Sequence, residues 1–418
     1  MFRRPATPTL LLARLAAASR VAAHQLAAAS PAAEPRPVAT GGQPAATPTT
    51  PDAARPNSNP DAVTAKPIIQ IAILLDTSGS MEGLISQARA RIWDIVNVMA
   101  TARKNGQRAE FQVAVYQYGS DHLPPGEGFL TMVQPFTTDL DAISEKLFAL
   151  TIGGSEEYCG QVMNSALRQL SWNATPASAP LSSLPLRILI IAGNEPFTQG
   201  PVDYQKPVAD AKQRGVLVNT IYCGPYIDGE RSGWLNAAHL GGGAFNAIDQ
   251  NRKFIEIPCP QDDELMRLNS ELNGTYLAYG AKGGAGQSRQ VMQDATNLAA
   301  SPAAALSRTA AKSSLNYSNS QWDLIDADTE KTADIEKIST QDLPEIMRPM
   351  TIPERKTHIA KLKARRVEIQ AQIRELSAER TKFLNNHRSK PSGETLDSAI
   401  IKAIREQAVS AGFTFAPD

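Results

Sequence analysis

The sequence predicts a three-layer α/β domain, a doubly wound and mostly parallel sheet, followed by a mainly α-helical C-terminal region. Three observations predict it. "IAILLD", residues 71–76, is an apolar run without polar alternation, as in a parallel strand covered on both faces. Strand-like runs and helix-length patterns then alternate along the chain, which implies right-handed crossovers between neighbouring strands. The first strand stops on Asp76-Thr77-Ser78-Gly79-Ser80, a polar turn at the carboxyl end, where open α/β sheets place their ligands.

The elements follow in order. After the opening strand, Met81, Leu84, Ile85, Ala88, Ile92, Ile95, Val96 and Met99 recur at three and four and form one apolar helical stripe. "FQVAVYQYG" and "FLTMVQPF", joined by the turn-rich "DHLPPGEG", read as a strand pair. A short helix near Leu140 to Leu150 leads into "TIGGSEEYCG". Next come a helix through Val162 to Leu170, a strand "LRILIIAGN", a helix near Val202 to Arg214, a strand "VLVNTIYCG", a helix ending at "HLGGG" and a last strand "AFNAID". The α/β domain therefore runs from 67 to 255.

Composition narrows the function. The 418 residues carry 42 Lys plus Arg against 42 Asp plus Glu, so no global charge steers the chain toward nucleic acid or an anionic membrane. Three cysteines without a CxxC, and five scattered histidines without an HExxH, do not read as a disulfide scaffold or a zinc site. Residues 1–30 begin with Arg3 and Arg4, pass through Leu10 to Leu12 and an alanine-rich tract, and reach small residues, as an export signal does. Arg14, Arg20 and His24 interrupt the apolar stretch, so an Arg-rich transit peptide and a disordered tail stay open beside the signal peptide. Residues 31–66 are rich in Pro, Ala and Thr and read as a spacer. No apolar run reaches the ~20 residues of a membrane span.

"IAILLDTSGSM" followed by a long amphipathic helix resembles the von Willebrand factor type A domain, whose hallmark is a D-x-S-x-S metal-ion-dependent adhesion site. Asp76, Ser78 and Ser80 match that motif position by position, and Ser155 in "GGSEEY" falls where the family takes a later hydroxyl. The family's third element, an aspartate after the fourth strand, is missing. "IIAGNEP" puts Gly193 there, followed by Asn194 and Glu195. The resemblance implies magnesium, or calcium or manganese, held by Asp76, Ser78, Ser80 and Ser155. Glu156, Glu157, Asn194 or Glu195 would support the site in place of the lost aspartate. Hydroxyl and carboxylate oxygens are hard donors that suit these ions. The family implies capture of a partner's carboxylate at an exchangeable coordination position, without catalysis.

Other readings compete. "DTSGS" also suits a cap for the following helix. D-x-x-G-[ST] after a buried strand resembles the aspartyl-phosphate loop of haloacid dehalogenase-type phosphotransferases, with Asp76 as nucleophile, but the later loops offer neither the lysine nor the acidic pair those enzymes need. Type A domains also occur as cytoplasmic accessory subunits of ring-shaped ATPases, which is the alternative to an exported adhesion-type module. Cys159 and Cys223 fall at the site-bearing edge of the sheet, where a disulfide between them and two buried thiols are both open; Cys259 is left over.

Beyond the sheet, residues 256–350 read as a mixed, mostly helical extension. Residues 323–345 hold eight acids against two lysines, and 354–390 hold eleven Lys or Arg against four Glu. Ile359, Leu362, Ile369, Ile373, Leu376 and Phe383 form a seam along a basic helix within 351–390, interrupted by Arg366 and Arg380. That helix suits a hairpin with its neighbours or a short coiled coil, its charges facing water. Residues 391–418 read as a second amphipathic helix stopped at Gly412. Self-association through these C-terminal helices is a further expectation. The order of domain, acidic stretch, basic helix and tail is similar to a group of bacterial exported type A domain proteins.

Overall fold

The computed structural model describes residues 66–173, 184–252, 256–387 and 395–415. The leader expected at 1–30 and all but the last residue of the spacer expected at 31–66 lie outside the described residues.

Strand β1 (Ile68–Asp76) is buried along almost its whole length, as its unbroken apolar run requires. It lies between β4 (Glu110–Tyr118) and β6 (Leu186–Gly193) and is parallel to both, with Asp76 level with Tyr118 and Leu75 level with Ala192. β7 (Val216–Cys223) and β8 (Gly242–Ile248) continue the parallel sheet beyond β6, and β5 (Leu130–Thr137) closes the far edge antiparallel to β4. The order is therefore β5-β4-β1-β6-β7-β8. The chain leaves β1 toward one side and later returns on the other, so a switch point falls at the carboxyl end of β1.

Alternation along β1 divides the molecule. Ile69, Ile71, Ile73 and Leu75 face a core with Leu84, Ile85, Ile92 and Val96 of α1 (Glu82–Met99) and Leu140, Ile143 and Leu147 of α2 (Leu140–Phe148). Ala72 and Leu74 face the opposite core with α3 (Cys159–Gln169), α4 (Gln205–Gln213) and Trp234 at the head of α6 (Trp234–Leu240). The sheet with helices on both faces is the layered architecture the sequence predicts. Between β7 and α6 lies the short α5 (Tyr226–Arg231).

The C-terminal region shares the first of these cores. α12 (Leu396–Ser410) sets Leu396, Ala399, Ile400 and Ile404 into it, beside α1. α7 (Asp262–Asn273), α8 (Gly283–Ala300) and α9 (Pro302–Lys312) form a further layer, with α9 packed on α1. α11 (Ile352–His387) lies on α7 and α9, and on α10 (Leu324–Glu330) near its start. Its seam residues Ile359, Ile369 and Ile373 are buried against the same chain. Arg366 does not interrupt that seam from outside. It is buried too, paired with Asp323 at 2.6 Å and Asp326 at 2.7 Å, and its guanidinium sits 4.1 Å from the centre of the Tyr276 ring.

A small sheet is new relative to the sequence reading. β2 (Arg103–Lys104) and β3 (Gln107–Arg108) make a hairpin around Asn105 and Gly106, both at positive φ, and β9 (Phe413–Thr414) pairs with β2 to pin the C-terminal tail beside α1. Asn-Gly supplies the two left-handed residues that a two-residue hairpin turn needs.

Candidate functional site

Asp76 is the last residue of β1 and has no solvent exposure. The backbone N–H of Ser78 donates to its Oδ1 at 2.8 Å. Its other oxygen, Oδ2, is buried and meets no donor among the described residues. Burial is the main cause that pushes the Asp76 carboxyl up to about 8, the Ser78 hydrogen bond opposes it, and the nearby charges of Glu157 and Glu195 raise it further.

The three hydroxyls after Asp76 divide by role. Thr77 turns inward, where its N–H and Oγ1 both donate to the Tyr118 carbonyl, at 2.8 and 2.9 Å. Ser78 Oγ and Ser80 Oγ lie 3.3 Å apart, the first buried and the second at the surface. No side chain caps α1: its N-cap residue is Met81, and only the Ser78 carbonyl serves the turn, accepting from the Met81 N–H at 3.1 Å. The capping reading of "DTSGS" therefore does not describe these side chains.

Two further loops meet this turn. Gly79 N–H donates to the Gly154 carbonyl at 3.0 Å, and Gly153 N–H donates to the Thr77 carbonyl at 2.9 Å. These bonds bring Ser155, which is exposed, to the rim. On the other side, the Asn194 side-chain amide lies 3.1 Å from Ser80 Oγ. The residues named from the sequence thus belong to one neighbourhood, contributed by three segments of the chain.

The acids near the site separate clearly. Glu156 accepts from the Tyr158 hydroxyl at 2.7 Å, so its carboxylate is already engaged. Glu195 is half-buried, and its carbonyl accepts from the Trp234 indole at 2.8 Å. Glu157 is only 3% exposed, and its Oε2 is buried without a donor. Burial raises its carboxyl, while the Ser78 hydroxyl and the Gln199 side chain partly offset that. Gly119, at positive φ, separates the two buried acids: a Cβ there would lie 2.6 Å from Asp76 Oδ1 and 2.9 Å from Glu157 Cγ.

Gly193 ends β6 directly beside Asp76. A Cβ on it would stand 2.6 Å from the Tyr118 hydroxyl, 3.0 Å from Asp76 Oδ2 and 3.1 Å from Asp76 Cβ. The Tyr118 hydroxyl is fixed there by donating to the Ala192 carbonyl at 3.0 Å. Any side chain at 193 would need the space that this buried tyrosine fills.

Cys159 and Cys223 are buried free thiols, and the structure forms no bridge between them. The sheet explains this. Cys159 belongs to the core under α3, with Sγ 3.8 Å from the Tyr118 hydroxyl, whereas Cys223 points into the core on the opposite face. Burial raises both thiols far above their ordinary range, which leaves them inert as nucleophiles.

The donor set fits a hard cation. It combines buried carboxylate oxygens lacking donors with serine hydroxyls and an amide at the rim. Among the described residues no cluster of three or more His, Cys, Asp or Glu side chains is arranged to hold a metal, so a cation here would depend on the hydroxyls as well. None of the main charge influences on Asp76 is basic, in contrast to the lysine-assisted phosphotransferase loop.

This sheet order carries a D-x-S-x-S turn, Asp76 to Ser80, at its switch point. Residues 70–232 match the family model of the von Willebrand factor type A domain, and the chain carries that domain. The family consists generally of non-catalytic interaction modules, many of which bind a divalent metal. Among solved structures, the chain is similar to BatB from Bacteroides thetaiotaomicron, with 15% identity over 43% of this chain and 90% of that one and a TM-score of 0.33. An aerotolerance-related membrane protein from Bacteroides fragilis NCTC 9343 gives 14% identity over 44% and 93%, with a TM-score of 0.29. The VWA domain of SpRpn10 gives 14% over 43% and 87%, with a TM-score of 0.30. No curated protein matches the chain. No helix among the described residues is long and apolar enough to cross a membrane.

Proposed function

We propose that this chain is an exported, divalent-metal-dependent protein-binding module that captures an acidic group of a partner protein. The observation that carries the reading is the pair of buried carboxylate oxygens, Asp76 Oδ2 and Glu157 Oε2, that lack donors in the two segments that also carry Ser78, Ser80 and Ser155. A buried carboxylate without a donor or a cation costs several kcal/mol or takes up a proton. A dication removes that cost for both groups at once.

Asp76, Ser78, Ser80 and Ser155 would hold magnesium, or calcium or manganese in its place, with Asn194 at the rim. The bound ion would supply a positive, exchangeable coordination position that a carboxylate oxygen can fill. The protein's own part is positional. The Ser78 N–H fixes one oxygen of Asp76, the paired backbone bonds from 77–79 to 153–154 hold two loops together, and the Ser80–Asn194 contact ties in the third. The site lies at the carboxyl end of β1, with Ser80 and Ser155 exposed to solvent.

Export rests on the leader-like residues 1–30 and is tested by fractionation of cells producing the full chain. The metal reading is tested by calorimetric titration of the full chain with MgCl2 and MnCl2, beside Asp76→Ala. Heat from the wild type and none from the variant supports it. An absence of heat from the wild type with both ions would sink it.

A further inference from the structure

Resting on the metal-site reading above, we infer that Glu157 is the second anionic ligand of that site and takes the place of a carboxylate that position 193 has no room to carry. Four acidic or amide side chains stand near Asp76, and the structure separates them. Glu156 is turned to the Tyr158 hydroxyl, Asn194 to Ser80, and Glu195 is half in solvent. Only Glu157 is more than nine-tenths buried with an oxygen that finds no donor.

Its placement is built rather than incidental. Glu157 lies in the segment that enters α3. Its N–H donates to Gln199 Oε1 at 2.9 Å, its carbonyl accepts from the Cys159 N–H at 3.1 Å, and the preceding residue bridges to Gly119 as an antiparallel pair. Gly119 has no side chain, and this lets the Glu157 methylenes pass close to Asp76. At Gly193, by contrast, the Tyr118 hydroxyl and Asp76 itself occupy the volume of a Cβ. Two carboxylates balance the two charges of a dication, and one does not.

The test uses the full chain and manganese alone, read by electron paramagnetic resonance of free and bound Mn2+. Glu157→Gln keeps the shape and removes the charge; it is expected to weaken Mn2+ binding by roughly tenfold or more and to raise the melting temperature of the metal-free chain. Glu195→Gln, which removes only a half-exposed charge, is expected to weaken binding much less than Glu157→Gln does. Should Glu157→Gln fail to fold, Glu157→Asp decides: weaker Mn2+ binding supports the inference and unchanged binding overturns it. If Glu157→Gln binds Mn2+ as the wild type does while Asp76→Asn does not, the inference fails and the metal reading stands. If the wild type binds no Mn2+, the metal reading itself fails.

Discussion

Asp141 and Asp294, in the helical layer, and Asp76 and Glu157, at the end of β1, are carboxylates withdrawn from water within one chain, yet their surroundings differ completely. Arg308, itself 1% exposed, bonds Asp141 at 2.5 Å and Asp294 at 2.7 Å. Lys312 adds a contact to Asp294 at 2.9 Å and donates to the Asn269 and Asn273 amide oxygens, while the Tyr317 hydroxyl donates to Asp141 at 2.7 Å. Lys312 and Arg308 hold Asp294 below the ordinary carboxylate range against the effect of burial. Asp76 and Glu157 have no such partners, and burial moves both carboxyls up. The first group is closed by its own cations and can only hold helices together. The second has no cation of its own among the described residues, and under the proposed function that difference separates a structural acid from a binding acid.

The largest effect should come from breaking the closed group. Arg308→Met would leave Asp141 buried and unpaired and is expected to cost about 3–5 kcal/mol, measured by urea denaturation. A loss below about 1 kcal/mol would mean that the network is not what holds α9 to α2. The buried group without a cation should respond with the opposite sign: Asp76→Asn is expected to stabilise the metal-free chain near neutral pH, because the folded aspartate has to take up a proton that the unfolded chain releases and an amide does not.

Gly193 sharpens the same contrast. Gly193→Ala adds one methyl against the Tyr118 hydroxyl and Asp76, both without solvent exposure, and should cost roughly 1–3 kcal/mol. If it is neutral in thermal melts, the crowding that excludes an acid from this position is not real. Gly193 illustrates what the sequence could and could not disclose. Its departure from the D-x-S-x-S family pattern was visible, and so was a set of four candidate substitutes. Which of the four is buried without a donor depends on how α3 and the 153–157 loop seat against Gly119, and no local pattern encodes that.

Much of the fold was legible for a simple reason. β1, β6 and β7 are apolar on both faces, and α1 carries a clean three-four stripe, so burial and sequence say the same thing. The C-terminal region was harder because its charges are split between water and core. Arg366 lies in a basic run indistinguishable from its neighbours, yet it is buried and donates to the Thr275 carbonyl at 2.8 Å as well as to the two aspartates. The hairpin at Arg103–Arg108 did have a signal, Asn105-Gly106, but flanking strands of two residues are too short for alternation to show. The packing of α9 on α1, and of α11 on α7 and α9, needs partners far apart in sequence, which periodicity within one segment cannot name.

Acidity offers a third way to compare the two groups, with smaller effects. Asp294 is held low in the folded chain, so its contribution is present above the ordinary carboxylate value of 3.8 and is lost as pH falls below it. Asp76 is held high, at about 8, so the folded metal-free chain keeps a proton that the unfolded chain has released. Stability then declines as pH rises from near 3.8 toward 8. Melting curves in chelator between pH 4.5 and 8 should show that decline, Asp76→Asn should flatten it, and the acid limb below pH 4 should survive the substitution. An unchanged slope in the variant would place the responsible group elsewhere.

The smallest effects should fall on the outer face of α11, where the charge run does what such runs usually do. Lys356 pairs with Glu336, and Lys363 with Asp328 at 2.9 Å, all four side chains substantially in solvent. Water already stabilises these ions, and ordering two long side chains offsets the attraction, so Lys356→Ala and Lys363→Ala should each leave stability almost unchanged. Arg366→Met, on the inner face of the same helix, strands Asp323 without exposure and should cost several times more. One helix thus carries both regimes within a few residues. Equal costs for Lys363→Ala and Arg366→Met in urea melts would show that burial does not set the energetics of these pairs, and would weaken the same argument where it is applied to Asp76 and Glu157.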